Sequence, residues 1–359
     1  MSELEELIEQ LYKEKDLPDC DLKRLIENDE SGAELRIKAD IIRREHYSTD
    51  VYIRGLIEIS NYCQNNCYYC GIRRDNKNLE RYRLGKEEIL DCCREGYDLG
   101  FRTFVLQGGE DNYFTDDKIC DIVSEIKKSY LDTAVTLSIG EKSYESYKTY
   151  FDAGADRYLL RHETADEEHY RMLHPEEMSV KARKQCLFDL KNIGYQVGTG
   201  FMVGSPYQTT KHIIEDIRFL QKLKPDMIGI GPFITHKDTM FYKNNISNLS
   251  PQNDVLYQFN MCLKLISILR IMFPYALIPA TTALGTINED GRERGLESGA
   301  NVIMPNLSPV RCRNLYNIYD NKICTGAESA EHLLLLKQRV NAIGYNIVTH
   351  IGHVNKQLS

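Results

Sequence analysis

Apolar side chains recur at helical spacing through the first part of the chain. Leu4, Ile8 and Leu11 lie four and three positions apart, and a second amphipathic run begins at Leu22. This period is typical of helices that bury one face. We therefore expect residues 1–48 to form a helical extension that packs on a larger body.

From residue 51 onward, short apolar runs alternate with amphipathic segments. The apolar runs end in polar or glycine-rich turns, which is typical of parallel strands that alternate with helices. The predicted strands are Tyr52–Ile59, Thr103–Leu106, Ala134–Ser138, Arg157–Arg161, Gln196–Val203, Met227–Gly231, Ala276–Thr281 and Asn301–Met304. The predicted helices are Lys86–Leu99, Asp116–Ser129, Ser143–Asp152, Val180–Asn192, Thr210–Leu223, Asp254–Met272 and Asp290–Ser298.

Eight strands alternating with seven helices match an α/β fold of the (β/α)₈ TIM-type barrel in number and spacing. A last helix is predicted at Glu328–Ile343, so the barrel domain with its C-terminal helix spans 49–359. An open, doubly wound sheet is the alternative, because counting strands does not show that a sheet closes. In a barrel the reactive groups belong at the C-terminal ends of the strands, so we look for candidate chemistry there.

Charge and cysteine content narrow the class of protein. The formal net charge is −8, whereas proteins that grip phosphate backbones usually carry the opposite sign. No apolar run approaches the ~20 residues that span a bilayer, and the acidic N-terminus lacks a secretory core. We therefore interpret the eleven cysteines as reduced thiols, metal ligands or small buried residues of a cytosolic protein that binds neither nucleic acid nor membranes.

Three cysteines lie close together in the loop after the first predicted strand. Cys63, Cys67 and Cys70 form a C-x₃-C-x₂-C pattern. Each thiolate can bind one iron of a four-iron cluster, which leaves the fourth iron open to a small molecule. Structural zinc is the alternative, but zinc usually takes two separated cysteine pairs, and the adjacent pair Cys92 and Cys93 lies within a predicted helix.

The second and third strands end in residues that suit a small ligand. Gly108, Gly109 and Glu110 follow the second strand, where glycine lets the backbone approach a ligand closely. Gly-Gly-Glu is also a common turn, so this segment indicates a ligand site only because the cysteine loop follows the neighbouring strand. Ser138 ends the third strand and can offer a hydroxyl, although an ordinary strand residue is an equally good interpretation.

The fourth strand runs into Arg161 and Glu163, charges that are costly to bury without partners. The carboxylate can bind ribose hydroxyls and the arginine can bind a carboxylate at two points, with a salt bridge at a helix start as the alternative for Glu163. On pattern alone, Arg183 is a solvated helix residue and Met202 is a core methionine. The histidines, among them His174, show no metal-ligand spacing, so we assign none of them to a metal and expect them to form hydrogen bonds at the rim.

Taken together, these features resemble a known family. The C-x₃-C-x-aromatic-C loop, with Tyr69 as the aromatic residue, resembles the radical S-adenosylmethionine (SAM) superfamily. Over the whole predicted barrel the chain further resembles the HydE family of [FeFe]-hydrogenase maturases. The matching segments are Asn61–Asn76, Arg81–Leu84, Leu106–Asp111, Asp156–Thr164, Gly229–Thr239, Ile278–Thr286 and Gly299–Asn306.

The resemblance implies a complete barrel around a cavity, with a role for each candidate residue. Cys63, Cys67 and Cys70 would hold one [4Fe–4S] cluster, whose open iron SAM chelates. The SAM-binding residues would be Tyr69, Gly108, Gly109, Glu110, Ser138, Arg161, Glu163, Arg183 and Met202. The catalytic residues would be Thr281, Thr282, Met304 and Tyr316, and Arg54 and Arg157 would help to hold anionic groups in the same cavity.

The resemblance also implies an activity and partners. An electron passed from the cluster would cleave SAM to methionine and a 5′-deoxyadenosyl radical. That radical would attack the sulfur of an organometallic iron substrate that bears cysteine, CO and cyanide and is delivered by the maturase HydG. The product would help to build the di-iron subcluster of the hydrogenase H-cluster, with the maturase HydF and an electron donor as further partners.

Alternatives remain for the reaction and for a second cluster. Methylornithine synthase shares this architecture, biotin synthase shares its cofactor chemistry, and a SAM- or metal-binding regulator would catalyse nothing. Some family members hold a second cluster near the C-terminus on three cysteines. Here Cys324 matches the first of them, but Thr325–Leu336 contains no cysteine, so the sequence does not support a second cluster.

Overall fold

The structure, a computed structural model, describes residues 2–244, 254–324 and 329–354. Helices and short strands alternate along them. The helices are α1 (Glu3–Glu14), α2 (Asp19–Glu27), α3 (Gly32–Tyr47), α4 (Lys86–Asp98), α5 (Asp116–Ser129), α6 (Tyr144–Asp152), α7 (Glu167–Leu173), α8 (Val180–Ile193), α9 (Thr210–Leu223), α10 (Met240–Lys243), α11 (Val255–Met272), α12 (Thr282–Ile287), α13 (Gly291–Glu297), α14 (Val310–Arg313) and α15 (Leu333–Ala342). The strands are β1 (Asp50–Ile53), β2 (Gly55–Ser60), β3 (Thr103–Gly108), β4 (Ala134–Ser138), β5 (Arg157–Leu159), β6 (Gln196–Thr199), β7 (Met202–Val203), β8 (Met227–Ile228), β9 (Gly231–Pro232), β10 (Val302–Ile303) and β11 (Asn346–Val348).

Six strands form one parallel sheet in the order β2-β3-β4-β5-β6-β8. Its register aligns Ile57 with Leu106 and Leu106 with Leu137, and all three side chains are buried. Helices α4 to α9 connect successive strands of this sheet. A parallel sheet with crossover helices confirms the α/β class.

The sheet continues beyond β8 through single parallel bridges. Residue Met227 of β8 bridges Leu277, and Pro279 bridges Val302 of β10. β10 pairs with β1, and Leu56 of β2 bridges Asn306. Because proline has no N–H to donate, the predicted seventh strand is reduced to two isolated bridges.

Three predicted strands are each interrupted. Tyr52–Ile59 is divided into β1 and β2, Gln196–Val203 into β6 and β7, and Met227–Gly231 into β8 and β9. At Gly200, an added Cβ would lie 2.0 Å from the carbonyl oxygen of Gly229, so the two chains pass too closely for a side chain. The prediction of continuous strands was therefore wrong, because a tertiary contact sets this break.

The seven helices predicted between the strands are all present, with ends that differ by at most one residue. Ser143 caps α6 by accepting a hydrogen bond from the Ser146 N–H, and Gly194 ends α8 at a φ of 114°. The predicted C-terminal helix is shorter than expected and is present as α15 after one 3₁₀ turn. Its predicted first residue, Glu328, lies outside the described residues.

Helix α11 is apolar on nearly every side and lies in the core. By length and composition alone its 18 residues suffice to cross a membrane, but 78% of the helix is buried inside the structure. Lys264 donates to the carbonyl oxygens of Ile26 and Asn28, and Arg270 donates to that of Gly299. The N-terminal helices thus pack on α11. The domain boundary at residue 48 stays a prediction.

The C-terminal segment lies across the N-terminal ends of the strands. β11 pairs in parallel with β1. Thr103 at the start of β3 donates to the Ile351 carbonyl oxygen at 2.9 Å, and Arg157 at the start of β5 donates to the carbonyl oxygens of Ile351 and Gly352. The sequence predicted no strand after the last helix, because the apolar run is too short to indicate one.

Candidate cluster and cofactor site

A cavity of about 380 Å³ lies at the C-terminal ends of the strands, within the size range of small-molecule sites. Of the residues expected to bind the cluster or SAM or to be catalytic, all except Ser138 line it: Cys63, Cys67, Tyr69, Cys70, Gly108, Gly109, Glu110, Arg161, Glu163, Arg183, Met202, Thr281, Thr282, Met304 and Tyr316. Ser138 ends β4 beside Gln107 but is not among the described residues that line the cavity. The structure thus brings these residues together, and their individual roles stay predictions.

Arg81 fixes the shape of the loop that carries the three cysteines. Its guanidinium donates to the carbonyl oxygens of Ile72 at 2.8 Å, Arg73 at 2.7 Å and Asn76 at 3.2 Å. It also donates to the carbonyl oxygen of Asn61, at the start of the loop. One side chain therefore ties both ends of the cysteine loop together, and Arg81 was noted from the sequence only as part of a matching segment.

The three cysteine thiols share a buried environment. Burial raises the pKa of Cys63, and burial together with the neighbouring thiols raises those of Cys67 and Cys70, the last to about 12. A bound cationic metal centre reverses this effect by stabilising thiolates. Among the described residues no three His, Cys, Asp or Glu side chains converge on one metal ion. A cubane binds each thiolate at a different iron, so it does not require such convergence.

The end of β3 packs directly on the cysteine loop. A Cβ at Gly109 would lie 2.2 Å from the carbonyl oxygen of Tyr62 and 2.8 Å from the Cβ of Cys63. The Glu110 carboxylate accepts hydrogen bonds from the Glu141 N–H at 2.9 Å and from the Gln64 side chain at 3.2 Å. Glycine is therefore required at position 109, and Glu110 holds the two neighbouring loops in place.

Glu163 presents a carboxylate oxygen that has no hydrogen-bond partner. Its Oε2 atom is buried and lies 3.4 Å from Nη2 of Arg161, and its backbone φ is 65°, which is rare for a residue other than glycine. Arg183 donates to the Arg161 carbonyl oxygen at 2.8 Å and to the Glu141 carboxylate. A buried acceptor that has an ion-pair neighbour but no hydrogen bond fits a ligand with hydroxyl donors, such as a ribose.

Tyr69, next to the third cysteine, is held by a histidine. Its hydroxyl lies 3.1 Å from Nε2 of His174, whose Nδ1 lies 2.9 Å from the carbonyl oxygen of Tyr170. Because that carbonyl can only accept, Nδ1 carries the proton, and the Tyr69 hydroxyl therefore donates to Nε2. Hydrogen bonding at the rim was the role expected for His174.

The predicted catalytic residues also line the cavity. Thr281 precedes α12 and its Oγ1 is buried without a partner, and Thr282 is the first residue of that helix. Tyr316 is 3% exposed, and burial raises the pKa of its hydroxyl well above the ordinary value, so it stays protonated. Met304 lines the cavity beyond β10.

Arg54 and Arg157 do not line the large cavity. They border a separate space of about 10 Å³, room for about one water molecule, nearer the starts of the strands. Arg157 is engaged by the C-terminal segment, whereas Nε and Nη2 of Arg54 are buried without partners. Their expected place in the catalytic cavity was wrong, because both precede the strand positions that face it. Anion binding by Arg54 stays a prediction.

Sequence reasoning missed a buried ion pair on the cavity wall between Glu58 and Lys322. Glu58 is fully buried, and its carboxylate also accepts from the Asn306 side chain at 2.9 Å. A lone carboxylate between Ile57 and Ile59 of an apolar strand was the signal that this position has a special partner.

Comparison with known proteins places this site in a class. A family model described as the radical SAM superfamily matches residues 57–220, which contain the cysteine loop and Glu163. The crystal structure of methylornithine synthase (PylB) superposes with a TM-score of 0.79 at 26% identity, over 95% of this chain and 97% of that one. The chain belongs to the radical SAM superfamily.

Two curated relatives narrow the class further. The [FeFe] hydrogenase maturase subunit HydE of Thermotoga maritima is 44% identical over 340 residues, which cover 94% of each chain. The 3-methylornithine synthase of Methanosarcina acetivorans is 30% identical, over 84% of this chain and 83% of that protein. Within the superfamily, the chain belongs to the HydE family.

Proposed function

We propose that this chain cleaves SAM reductively and acts in the assembly of the di-iron subcluster of the [FeFe]-hydrogenase H-cluster. The 44% identity to HydE over 94% of both chains supports the family activity. The observation that carries the chemistry is that three thiols, a buried carboxylate oxygen without a hydrogen bond and the predicted catalytic residues line one cavity.

The residues fit the cofactors that the family implies. A [4Fe–4S] cluster on Cys63, Cys67 and Cys70, when bound, supplies the electron that cleaves SAM. Because Gly109 has no side chain, the end of β3 packs directly against the cluster loop at the cavity wall. Glu163 accepts from ribose hydroxyls, Arg161 forms an ion pair with that carboxylate, and Arg183 donates to the Arg161 backbone.

We further propose that the sheet closes into a (β/α)₈ barrel. The bridges from Met227 to Leu277 and from Pro279 to Val302, with the pairing of β10 to β1, support closure. A closed wall suits the reaction, since a primary radical must be kept from solvent and from other hydrogen donors. The large cavity would then hold both SAM and the substrate.

The proposed substrate is an organometallic iron species that bears cysteine, and the proposed partners are HydG, HydF and an electron donor. We propose a cytosolic setting, since none of the eleven cysteines forms a disulfide in the part of the chain that the structure describes. We propose a single cluster, because the Cys324 thiol hydrogen-bonds Oδ1 of Asn314 at 2.8 Å and the cysteines expected after it are absent from the sequence.

Deletion and complementation in the native host test this function. Deletion of the gene should abolish [FeFe]-hydrogenase activity, and the wild-type gene should restore it. A Cys67→Ala variant should not restore it, whereas the matched variant Cys120→Ala, at a helix residue away from the cavity, should. Full hydrogenase activity in the deletion strain would contradict the proposal.

A second candidate function is 3-methylornithine synthesis. It is favoured by the 30% identity to the 3-methylornithine synthase of Methanosarcina acetivorans and by the superposition on the methylornithine synthase structure. The purified, reconstituted protein distinguishes the two activities. Formation of 3-methylornithine from an amino-acid substrate, with no effect of the gene on hydrogenase maturation, would support this second candidate. We expect 5′-deoxyadenosine without 3-methylornithine.

A further inference from the structure

The Glu58–Lys322 ion pair is placed where it can meet the substrate. Glu58 lies on β2, the strand that leads into the cysteine loop, and Lys322 comes from the segment after α14. The two side chains are 0% and 6% exposed, and both line the large cavity. A buried ion pair such as this one is expected to have a functional role, because an apolar pair of similar size would cost less to bury.

The hydrogen bonds of the pair leave one donor of the lysine unassigned. The ammonium of Lys322 donates to Oε1 of Glu58 and to the carbonyl oxygen of Tyr316 at 3.1 Å. Oε2 of Glu58 is occupied by the Asn306 side chain. An ammonium has three N–H groups, so one remains for the cavity that Lys322 lines.

The charges around the cavity give Lys322 a distinct position. Among the described residues, the cations on the wall are Arg161, Arg183 and Lys322. The two arginines pair with Glu163 and Glu141 on the side where we place SAM. Lys322 instead lies beside Tyr316, with its Nζ 5.0 Å from the centre of that ring. It is therefore the cation available to a substrate next to the predicted catalytic residues.

We infer that Lys322 binds a carboxylate of the substrate, and that Glu58 holds the ammonium in place and moderates its affinity. The inference rests on the proposed function and deepens it, because it assigns an amino-acid carboxylate to a specific donor. A charge-assisted hydrogen bond in an enclosed site is worth about tenfold or more in affinity. Lys322 is thus a specificity-determining residue rather than a purely structural one.

Two small probes that differ only in the carboxylate test the inference. S-methyl-L-cysteine carries the carboxylate, and S-methylcysteamine lacks it. With cluster-reconstituted protein and SAM under anaerobic conditions, the wild-type chain should bind the first at least about tenfold more tightly. Lys322→Met should reduce this ratio to about one, and Lys322→Arg should retain most of it.

The Glu58→Gln variant distinguishes a substrate-binding role of the ion pair from a purely structural role. It keeps the shape of the side chain but removes the charge that neutralises Lys322, so binding of S-methyl-L-cysteine should become tighter. A purely structural pair would instead be damaged alike by Glu58→Gln and by Lys322→Met. Arg313→Met is the matched control: it removes the nearby Arg313–Glu331 pair, which does not line the cavity, and should leave the ratio unchanged.

Three results would overturn the inference: a wild-type ratio near one, an unchanged ratio in Lys322→Met, or weaker binding in both Glu58→Gln and Lys322→Met. 5′-Deoxyadenosine formation without a probe is measured in the same samples. Its presence with a wild-type ratio near one would reject the role of Lys322 and leave the proposed radical chemistry intact. Its absence in wild-type protein would instead reject the proposed function.

Discussion

Replacing Gly109 by alanine is the sharpest local perturbation of the site. The added methyl carbon would lie 2.2 Å from the Tyr62 carbonyl oxygen and 2.8 Å from the Cβ of Cys63, where real contacts are essentially never shorter than 3.0 Å. Both neighbours are part of the cysteine loop rather than the ends of flexible side chains. The loop must therefore move by about 1 Å, and a displacement of that size at a reacting centre can reduce the rate about 100-fold.

The measurements are cluster content, thermal unfolding and the rate of 5′-deoxyadenosine formation in reconstituted protein. For Gly109→Ala we expect a folded protein whose 5′-deoxyadenosine formation is reduced by about two orders of magnitude. Gly32→Ala is the matched control, because that glycine has helical φ and ψ angles and nothing lies within 4 Å of its added Cβ. A rate for Gly109→Ala close to that of the control would refute the claim that β3 packs on the cluster loop.

Three further changes test separate parts of the structure. Glu163→Gln should weaken SAM binding by about 10- to 100-fold at unchanged cluster content, because a charged acceptor is lost, and an unchanged dissociation constant would contradict its assigned role. Arg54→Met should raise the free energy of unfolding by roughly 1–4 kcal/mol in buffer free of small anions. The reason is that burial and the neighbouring Arg157 lower the pKa of this guanidinium, whose Nε and Nη2 atoms have no hydrogen-bond partner. A variant less stable than the wild type would contradict this prediction. Burial lowers the pKa of His169 from 6.5 to about 4, so the unfolded chain binds the extra proton between these values and stability falls as the pH drops through them. His169→Gln should flatten that dependence by up to about 1.4 kcal/mol per pH unit in chemical unfolding, and an identical pH profile would speak against a neutral buried histidine.

The helices could be predicted from the sequence because their signals are local. The period of apolar residues and end signals such as Ser143 and Gly194 lie within each segment. The strand breaks were not predictable, since the one at Gly200 depends on the approach of Gly229 from a distant part of the chain. The pairing of β11 with β1 is equally non-local, and three residues carry too little pattern to indicate it.

In the site, too, local motifs were predictable from the sequence and residues placed by distant contacts were not. The cysteine loop and Gly108–Glu110 are contiguous motifs, so the sequence indicated them directly. Arg183 looked like a solvated helix residue, and only the resemblance, and then the fold, brought it to the cavity. Lys322 escaped notice because its partner Glu58 is 264 positions away in the chain, and a surface lysine is the ordinary interpretation of such a residue.

The central claim is that Cys63, Cys67 and Cys70 hold one redox-active cluster with an open iron that SAM occupies. Electron paramagnetic resonance of the anaerobically reconstituted, dithionite-reduced protein tests it most directly. We predict one [4Fe–4S]⁺ signal per chain, a changed signal when SAM is added, and no such signal in the Cys67→Ala variant. A signal that SAM leaves unchanged, or protein that binds zinc in place of iron at these thiols, would contradict the account.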